Sequence, residues 1–283
     1  MKPMIKYRGG KLKEIPFFEK YIPTDFETYF EPFFGGGAVY FYIQPTKAVL
    51  NDINARVMNF YRDIRDNYEI VRRQLDELQK IYEQNQQNYI LLKKQYPNDH
   101  VPNLNEQLYY EIRDMFNRKI ESRYLDSVLY YFINKTAYSG MIRYNAQGEY
   151  NVPFGRYKHF NTKLITYEHH VLLQRAQLFC TDYSEIFEIA TPNDFMFLDP
   201  PYDCIFNDYG NLEMPDGFNE NEHIRLANNF KKLKCKALMI IGKTDLTEQL
   251  YRDYIIDEYD KSYAVNIRNR FKSEAKHLII TNY

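Results

Sequence analysis

The sequence predicts an α/β protein with a mostly parallel, doubly wound sheet, a terminal antiparallel hairpin, and a helical insertion that ends in a β-hairpin. Short apolar runs bounded by Gly, Pro or Asp alternate with segments of helical periodicity, the pattern typical of a parallel sheet covered by helices. The last two apolar runs have no helix between them, which favours an antiparallel pair. Residues 56–135 show only helical periodicity, which indicates an insertion between two parts of the sheet.

Composition is typical of a soluble globular protein. The chain has 283 residues, of which 45% are hydrophobic and 27% charged. A net charge of −1 argues against a globally basic nucleic-acid-binding protein, although local basic clusters are present. Without a signal peptide or an apolar run of about 18 residues, we expect a cytoplasmic protein. The isolated cysteines 180, 204 and 235 predict reduced thiols, and we expect no metal site.

The segment from Phe195 to Tyr202 organises the chain. Four apolar residues predict a buried strand, which the Asp-Pro-Pro sequence then ends. Proline fixes φ and lacks an N–H, so the strand end presents acceptors, namely the Asp199 carboxylate and nearby carbonyls. Such acceptors suit a group that donates two hydrogens, such as an amine, and Tyr202 offers a face for an aromatic ring. We therefore predict a catalytic corner formed by Asp199, Pro200 and Tyr202.

An exocyclic amine on a nucleobase fits this corner and presents a chemical problem that the corner can solve. Its lone pair is delocalised into the ring, so the planar nitrogen is a poor nucleophile. Acceptors placed out of the ring plane favour a pyramidal nitrogen, whose lone pair can attack an activated methyl group. Asp199 or water then takes the proton, and stabilising the developing charge lowers the barrier.

The segment 28–41 predicts a cofactor loop. A strand breaks at Pro32, crosses three glycines and continues into a helical segment, which allows close backbone approach to a ligand at the carboxyl end of the strand. The spacing is not Gly-x-Gly-x-x-Gly, which argues against a nicotinamide cofactor, and Glu31 favours an ammonium or sulfonium centre. A second strand at 48–50 leads to Asp52, which suits ribose hydroxyls. Together these features predict a nucleoside-bearing cofactor.

The insertion is predicted to be helical. Periodicity over 57–82 predicts one long amphipathic helix, and the Gln-rich and Asn-rich stretch 83–105 predicts a surface connection. Two further helices are expected, at 108–116 and 126–134.

The insertion is predicted to end in a hairpin over 138–155, with two short strands around an Asn-x-x-Gly turn. Arg143 on this hairpin could recognise guanine in the major groove. Tyr138 could fill the space left by a base drawn out of the duplex.

The remaining segments return to the alternating pattern. Asp182 follows a predicted strand at 177–180 and could accept a hydrogen bond from an adenine amino group. We expect another strand at 237–241 and a mobile lid at 203–219. Helices are expected at 167–176, 220–232 and 247–255, and the terminal hairpin at 262–267 and 277–283.

These pieces resemble the Dam-like family of DNA adenine N6-methyltransferases, and the resemblance covers nearly the whole chain. It is carried by the segments 6–11, 30–37, 51–52, 138–158 and 277–283, by Asp182, and by Asp-Pro-Pro-Tyr at 199–202. Their order along the chain is also that of the family. Two features depart from it: Tyr7 replaces a frequent Trp, and the stretch between Asp52 and Tyr138 is longer than in compact members.

The resemblance implies a class I methyltransferase-like catalytic domain at 1–55 and 165–283, with a target-recognition domain at 56–164. It implies S-adenosyl-L-methionine as methyl donor, and a flipped adenine held by Asp199 and stacked on Tyr202. The expected cofactor contacts are Tyr7, Lys11, Glu31, Phe33, Gly35, Gly37, Asp52, Asp182 and Asp199. The expected DNA contacts are Lys6, Tyr138, Met141, Arg143, Asn145, Pro153 and Arg156.

The hairpin is similar to that of members that methylate the adenine of GATC, which implies GATC, or a longer site containing GAT, in double-stranded DNA. A restriction-modification or phage system is implied, with a cognate restriction endonuclease as partner in the first case. From the residues alone, alternatives stay open. The amine could belong to cytosine N4, an RNA adenine or a glutamine side chain, or the chain could be a non-catalytic DNA-binding regulator.

Overall fold

The computed structural model describes residues 1–140, 142–202, 217–261 and 275–283. The chain divides into two compact units. The helical unit comprises Met1–Gly10 and Ala55–Gln174, and the sheet unit comprises Lys11–Asn54 and Arg175–Tyr283. Residues 1–10 and 165–174, which we expected in the catalytic domain, thus group with the helices.

The sheet unit contains one seven-stranded mixed sheet with the strand order β3-β2-β1-β4-β5-β7-β6. Its strands are β1 (Tyr29–Glu31), β2 (Ala48–Asn51), β3 (Ala176–Phe179), β4 (Phe195–Leu198), β5 (Lys236–Gly242), β6 (Ile255–Lys261) and β7 (Ala275–Thr281). The first five strands pair in parallel, and β7 is antiparallel to both β5 and β6. The predicted fold class, mostly parallel with an antiparallel C-terminal pair, is confirmed.

The terminal pair begins earlier than expected. Its first strand is β6, whereas the predicted strand at 262–267 lies outside the described residues. The preceding helix ends at Tyr251, before the predicted end at 255. Charged residues in β6 hid the strand, because only one of its seven residues is buried. An edge strand needs no continuous apolar run, so this sequence carries a weak signal.

Strand β4 lies at the centre of the sheet, and all four of its residues are buried. Helices cover both faces of a parallel sheet, which explains a continuous apolar run instead of an alternating one. Tyr29 of β1 is in register with Phe195 of β4, so the carboxyl ends of these neighbours lie side by side. The strand order reverses between β1 and β4, and open α/β sheets bind ligands at such a point.

In the described part of the sheet unit, five helices are present: α1 (Ile15–Phe18), α2 (Ala38–Ile43), α8 (Tyr183–Ile189), α9 (Glu220–Phe230) and α10 (Asp245–Tyr251). Three of them begin at side-chain caps that satisfy backbone N–H groups: Asp182 accepts from Ser184 N, Asn219 from Glu222 N, and Thr244 from Thr247 N. The predicted lid at 203–219 lies mostly outside the described residues.

The described residues of the helical unit form five α-helices: α3 (Ala55–Asp66), α4 (Tyr68–Gln95), α5 (Leu104–Phe116), α6 (Asp126–Thr136) and α7 (Tyr167–Leu173). The prediction of one long helix over 57–82 was wrong, because a break at Asn67 separates α3 from α4. The prediction of a surface connection over 83–105 was also wrong for most of that stretch, since α4 continues to Gln95. The last buried residue of α4 is Tyr82, so intrinsic helix propensity without a buried face accounts for the extension.

The segment 138–155 folds back on itself without forming two regular strands. Isolated antiparallel bridges pair Ala137 with Phe154 and Tyr144 with Tyr150. The predicted turn is present, since Gly148 N donates to the Asn145 carbonyl over 2.9 Å. The predicted strands are absent from the described part of this segment. Ser139 adopts a positive φ of 55°, which interrupts an extended backbone.

Among the described residues, no helix is both long and apolar enough to span a lipid bilayer.

Candidate active site and DNA-binding surface

Asp199 follows β4 directly and is bound by a buried lysine. Lys11 Nζ lies 2.6 Å from Asp199 Oδ1, and the Lys11 side chain is only 2% exposed. The Tyr202 hydroxyl also donates to Oδ1, over 3.4 Å, and the Lys11 ammonium lies 4.9 Å from the centre of the Tyr202 ring. Within the described residues, both of these hydrogen bonds fall on Oδ1. An ionised carboxylate has acceptor capacity on both oxygens, so Oδ2 is the candidate acceptor for a further donor.

The charge of Asp199 depends on this lysine. Burial raises the pKa of the Asp199 carboxyl, while the charge and hydrogen bond of Lys11 oppose the rise. Lys11, which the sequence analysis expected at the cofactor, contacts Asp199 and the Tyr202 ring in the structure. Pro200 is buried and has no N–H to compete for an acceptor.

Glu31 ends β1, the strand beside β4. Its Oε2 accepts from the Tyr29 hydroxyl over 2.7 Å and from Tyr40 N over 3.1 Å. Neither bond uses Oε1. Burial raises the pKa of Glu31 to about 8; the hydrogen bond from Tyr29 opposes this rise, and the negative charge of Asp199 adds to it. A cationic ligand would stabilise the charged form of an acid whose pKa is raised by burial and by a second acid.

Asp52 closes the glycine loop. Its Oδ2 accepts from Gly35 N over 2.8 Å, and its Oδ1 accepts from Asn54 N over 2.9 Å. Gly37 adopts a φ of 65°, and an added Cβ would lie 2.7 Å from the Phe34 ring, so only glycine fits there. The loop thus has a fixed shape at the carboxyl ends of β1 and β2.

Asn51 joins the ends of three strands, and the sequence analysis did not single out its side chain. Its Nδ2 donates to the carbonyls of Pro32 and Thr181, over 3.0 and 3.1 Å. Its Oδ1 accepts from Thr181 N over 2.9 Å. The position of a polar residue at the end of the apolar run 48–50 was the available signal for this role. Its partner Thr181, 130 residues away, could not be inferred from the sequence.

Asp182 follows β3 and is clamped by Arg225, a residue that the sequence analysis also missed. Arg225 Nη1 and Nη2 donate to the two carboxylate oxygens over 3.0 and 2.8 Å. Burial raises the pKa of Asp182, but the bonds from Arg225 and Ser184 outweigh it and lower the pKa to about 2. Phe33 packs against Tyr183 at a ring distance of 5.1 Å. An ionised acceptor beside aromatic rings suits a purine.

The residues expected to contact DNA belong to the helical unit. Tyr7, which was expected to contact the cofactor, belongs to the same unit. Asn134 holds the backbone of Lys6 at both ends, donating to its carbonyl over 2.7 Å and accepting from its N–H over 2.8 Å. Gly140 packs so closely on Lys6 that an added Cβ would lie 2.6 Å from its side chain. Lys6 is thereby placed beside the 138–140 turn, where Tyr138 is 59% exposed.

The other expected DNA contacts lie in or next to the segment 138–155, which folds back on itself. Arg143 Nε donates to Asn151 Oδ1 over 2.9 Å, a bond that does not use its two terminal nitrogens. Asn145 supports its turn by accepting from Gln147 N and Glu149 N. The Pro153 carbonyl accepts from Tyr138 N over 2.9 Å, and exposed Arg156 lies 3.7 Å from Glu106. Met141 lies outside the described residues.

Lys135 adds a cation to this surface that the sequence analysis did not identify. It is only 8% exposed, and its ammonium lies 5.1 Å from the centre of the Tyr131 ring. Burial lowers the pKa of Lys135 to about 8, and the charge of Lys6 contributes. No carboxylate of the described residues forms an ion pair with either lysine. Such a pair favours an anionic ligand such as phosphate.

The sheet order and the acids after β1 to β4 define a methyltransferase of the class I type. The chain belongs to the family of D12 class N6 adenine-specific DNA methyltransferases, whose family model matches residues 7–265. It is therefore an adenine-specific DNA methyltransferase, and its family uses S-adenosylmethionine. The family match identifies N6 of adenine in DNA as the methylated position. It excludes the alternatives of cytosine N4, an RNA adenine, a glutamine side chain and a non-catalytic DNA-binding regulator.

Relatives of similar length support the same assignment. The chain is 39% identical over 293 residues to the type II methyltransferase M.CviBI of Paramecium bursaria Chlorella virus NC1A, covering 100% of both chains. It is 26% identical to the type II methyltransferase M1.LlaDCHI of Lactococcus lactis subsp. cremoris, covering 100% of this chain and 96% of the relative. It is 29% identical to the DNA adenine methylase of Salmonella typhi, covering 95% and 88% respectively.

Proposed function

We propose that this protein transfers a methyl group from S-adenosylmethionine to N6 of an adenine turned out of double-stranded DNA. The observation that supports it most directly is the pairing of Lys11 with Asp199. Because Lys11 occupies Oδ1, Oδ2 and the carbonyls of the proline-rich corner remain to accept the two hydrogens of an amine. Tyr202, next to this corner, offers the face on which the adenine ring stacks.

The catalytic contribution of the corner is to orient the amine and stabilise the charge that it acquires. Two acceptors out of the adenine plane draw the N6 hydrogens away from conjugation and expose the lone pair to the methyl group. Nitrogen becomes cationic during attack, and the Asp199 carboxylate stabilises that charge more than the neutral ground state. The proton then leaves from nitrogen to Asp199 or to water. S-adenosylmethionine supplies the activated methyl group in this reaction.

The donor and acceptor set of the sheet unit fits that cofactor. Glu31 offers an acceptor for its ammonium group, and the glycine loop closed by Asp52 permits close approach by the ribose. Asp182, with Phe33 and Tyr183 nearby, suits the adenine ring and its amino group. These residues follow three neighbouring strands, which is where such sheets bind nucleotides.

DNA binding is assigned to the helical unit. Lys6 and Lys135 form a pair of cations that suits a backbone phosphate, and the exposed Tyr138 is available to enter the duplex. Arg143 presents two terminal nitrogens, the arrangement that recognises guanine O6 and N7. We expect Asn145, Pro153 and Arg156, which lie in or next to the segment 138–155, to contribute to DNA binding.

The target sequence proposed is GATC or a longer site containing GAT, which rests on the likeness of the segment 138–157 to that of family members with this target. Two relatives are named type II methyltransferases, which supports a cognate restriction endonuclease as partner. Sequencing modified bases in a host that expresses the protein tests the site. Methylation confined to sites without GAT would contradict it.

The test of the reaction is transfer of labelled methyl groups to DNA, followed by digestion to nucleosides. We expect N6-methyladenine from the wild type. Asp199→Ala should lose transfer while it retains DNA binding, because it lacks the acceptor but leaves the helical unit intact. The matched control is Asp257→Ala, which removes an exposed acid on β6 and should leave transfer unchanged. Normal transfer by Asp199→Ala would refute the proposed role of the corner.

A further inference from the structure

A cluster of four polar side chains lies within the sheet unit next to Tyr202. Glu14 and His277 are buried, with exposures of 3% and 1%. Glu14 Oε2 accepts from the Tyr259 hydroxyl over 2.7 Å and lies 2.8 Å from His277 Nδ1, while Oε1 accepts from Lys261. None of these side chains has been given a role above, although the charges of Glu14 and His277 both act on the pKa of Asp199. The cluster therefore needs an explanation of its own.

The cluster fixes the orientation of the His277 ring. Burial raises the pKa of Glu14, but hydrogen bonds from His277, Lys261 and Tyr259 and the charge of Lys11 outweigh it and lower the pKa to about 2. Glu14 is thus a carboxylate that only accepts, so His277 Nδ1 carries a hydrogen and donates it. Turning the ring over would break this bond. An acid that orients a histidine in this way restricts it to one position.

His277 in turn contacts the ring of Tyr202. The ring centres are 4.9 Å apart at an interplanar angle of 73°, which is an edge-to-face contact. Gly242, the register partner of His277 on β5, lies against the same ring, since an added Cβ would be 3.7 Å from it. Tyr202 is therefore seated on two neighbouring strands, β5 and β7, at adjacent positions.

We propose that His277, oriented by Glu14 and Tyr259, is a positioning residue that sets the Tyr202 ring for stacking on the target adenine. The inference rests on the proposed function, because it requires the everted base to stack on Tyr202. His277 touches neither the base nor the cofactor in this role. In this role its effect on methyl transfer passes through Tyr202.

A double-mutant cycle tests that dependence. Single-turnover methyl transfer is measured for the wild type, His277→Leu, Tyr202→Ala and the double variant, on a duplex whose methylated adenine has been located by sequencing. Loss of an edge-to-face contact should slow His277→Leu by roughly three- to tenfold. In the Tyr202→Ala background the same change should have no further effect. An equal slowing in both backgrounds would overturn the proposal.

Conservative variants separate positioning from general stability. His277→Phe keeps an aromatic edge against Tyr202 and should recover most of the rate lost in His277→Leu. His277→Gln keeps a donor for Glu14 without the ring, and its methyl transfer should be as slow as that of His277→Leu. If His277→Leu does not fold, His277→Gln replaces it in the double-mutant cycle. S-adenosylmethionine affinity, measured by calorimetry, should stay within about twofold of the wild type in all three. A rate for His277→Phe as low as that of His277→Leu would contradict the ring contact.

A fluorescence measurement reports directly on the eversion and stacking of the target base. With 2-aminopurine in place of the target adenine, eversion and stacking change the fluorescence, and His277→Leu should alter the signal of the bound complex. If Tyr202→Ala transfers methyl groups and gives the signal of the wild type, the proposed role of Tyr202 fails. If Tyr202→Ala differs from the wild type but His277→Leu does not, only the inference about His277 fails.

Discussion

Lys11 Nζ lies 2.6 Å from Asp199 Oδ1, with the lysine side chain almost fully buried. Lys11 precedes the first strand, whereas Asp199 follows the fourth, so the pair joins segments 188 residues apart in the chain. The lysine opposes the rise that burial causes in the pKa of the Asp199 carboxyl. Its predicted effects can be measured.

Replacing Lys11 with Met should shift the pH dependence of methyl transfer. Lys11 opposes the burial effect on Asp199, so its loss raises the pKa of Asp199 further. A nearby cation is worth about one to three pKa units, and the acidic limb of the rate profile should move up by that amount. Single-turnover rates against pH measure the shift. Lys13→Met, which alters an exposed lysine of the same turn, should leave the profile unchanged.

Cofactor binding should release protons from Glu31. With its pKa raised to about 8, roughly nine in ten Glu31 carboxyls are protonated at pH 7 before a cationic ligand binds. A cation favours the carboxylate, so binding should release close to one proton, and affinity should rise with pH up to about 8. Calorimetry in buffers of different ionisation enthalpy counts the protons. Glu31→Gln should abolish the release, and Glu27→Gln, an exposed control, should retain it.

Glu14 should contribute acid-sensitive stability. Its folded pKa, about 2, lies below the ordinary value of 4.5, so its contribution is present above pH 4.5 and is lost as pH falls through 2. The shift corresponds to about 3 kcal/mol in unfolding free energy at neutral pH. Denaturant unfolding of Glu14→Gln should show a loss of that order at pH 7. A loss that persists unchanged near pH 2 would show that the carboxylate charge is not the cause.

Asn51→Leu should loosen the cofactor loop. The change leaves the Pro32 and Thr181 carbonyls and the Thr181 N–H without the partner that they have in the wild type. Buried groups left unsatisfied cost about 1–3 kcal/mol each, so we expect a loss of at least about 2 kcal/mol and weaker cofactor binding. Denaturant unfolding and calorimetry measure the two effects. Asn193→Leu, at an exposed loop position, is the matched control, and an equal loss there would contradict the clamp.

Arg143 and Arg156 should affect DNA recognition differently. Arg143→Ala should cost about 1–3 kcal/mol at one guanine and relax preference at that position, because it loses a bidentate contact. Arg156→Ala should weaken binding to all sequences alike and lower the salt slope by about one. Binding titrations against a panel of duplexes at several salt concentrations measure both. An unchanged base preference in Arg143→Ala would remove it from the recognition set.

Helices and strands were predicted accurately where the hydrophobic pattern is strong, and they were missed where it is weak. The apolar run before Asp199 gave its buried strand, and the fold class followed from the alternation of strands and helices. The extension of α4 to Gln95 and the exposed strand β6 were missed, because neither has a continuous buried face. The break at Asn67 was missed because buried residues of α3 and α4 continue the same periodicity across it.

By itself, the sequence determined the chemistry of this protein: acceptors and an aromatic ring at a proline-stiffened strand end, and a glycine loop followed by an acid. These features depend on residue type and local spacing, which can be read along the chain. Only the tertiary structure decided the partners, such as Lys11 for Asp199, Arg225 for Asp182, and His277 for Tyr202. Each pair joins segments at least 43 residues apart, and what brings them together is the order of strands in the sheet, which local periodicity does not specify.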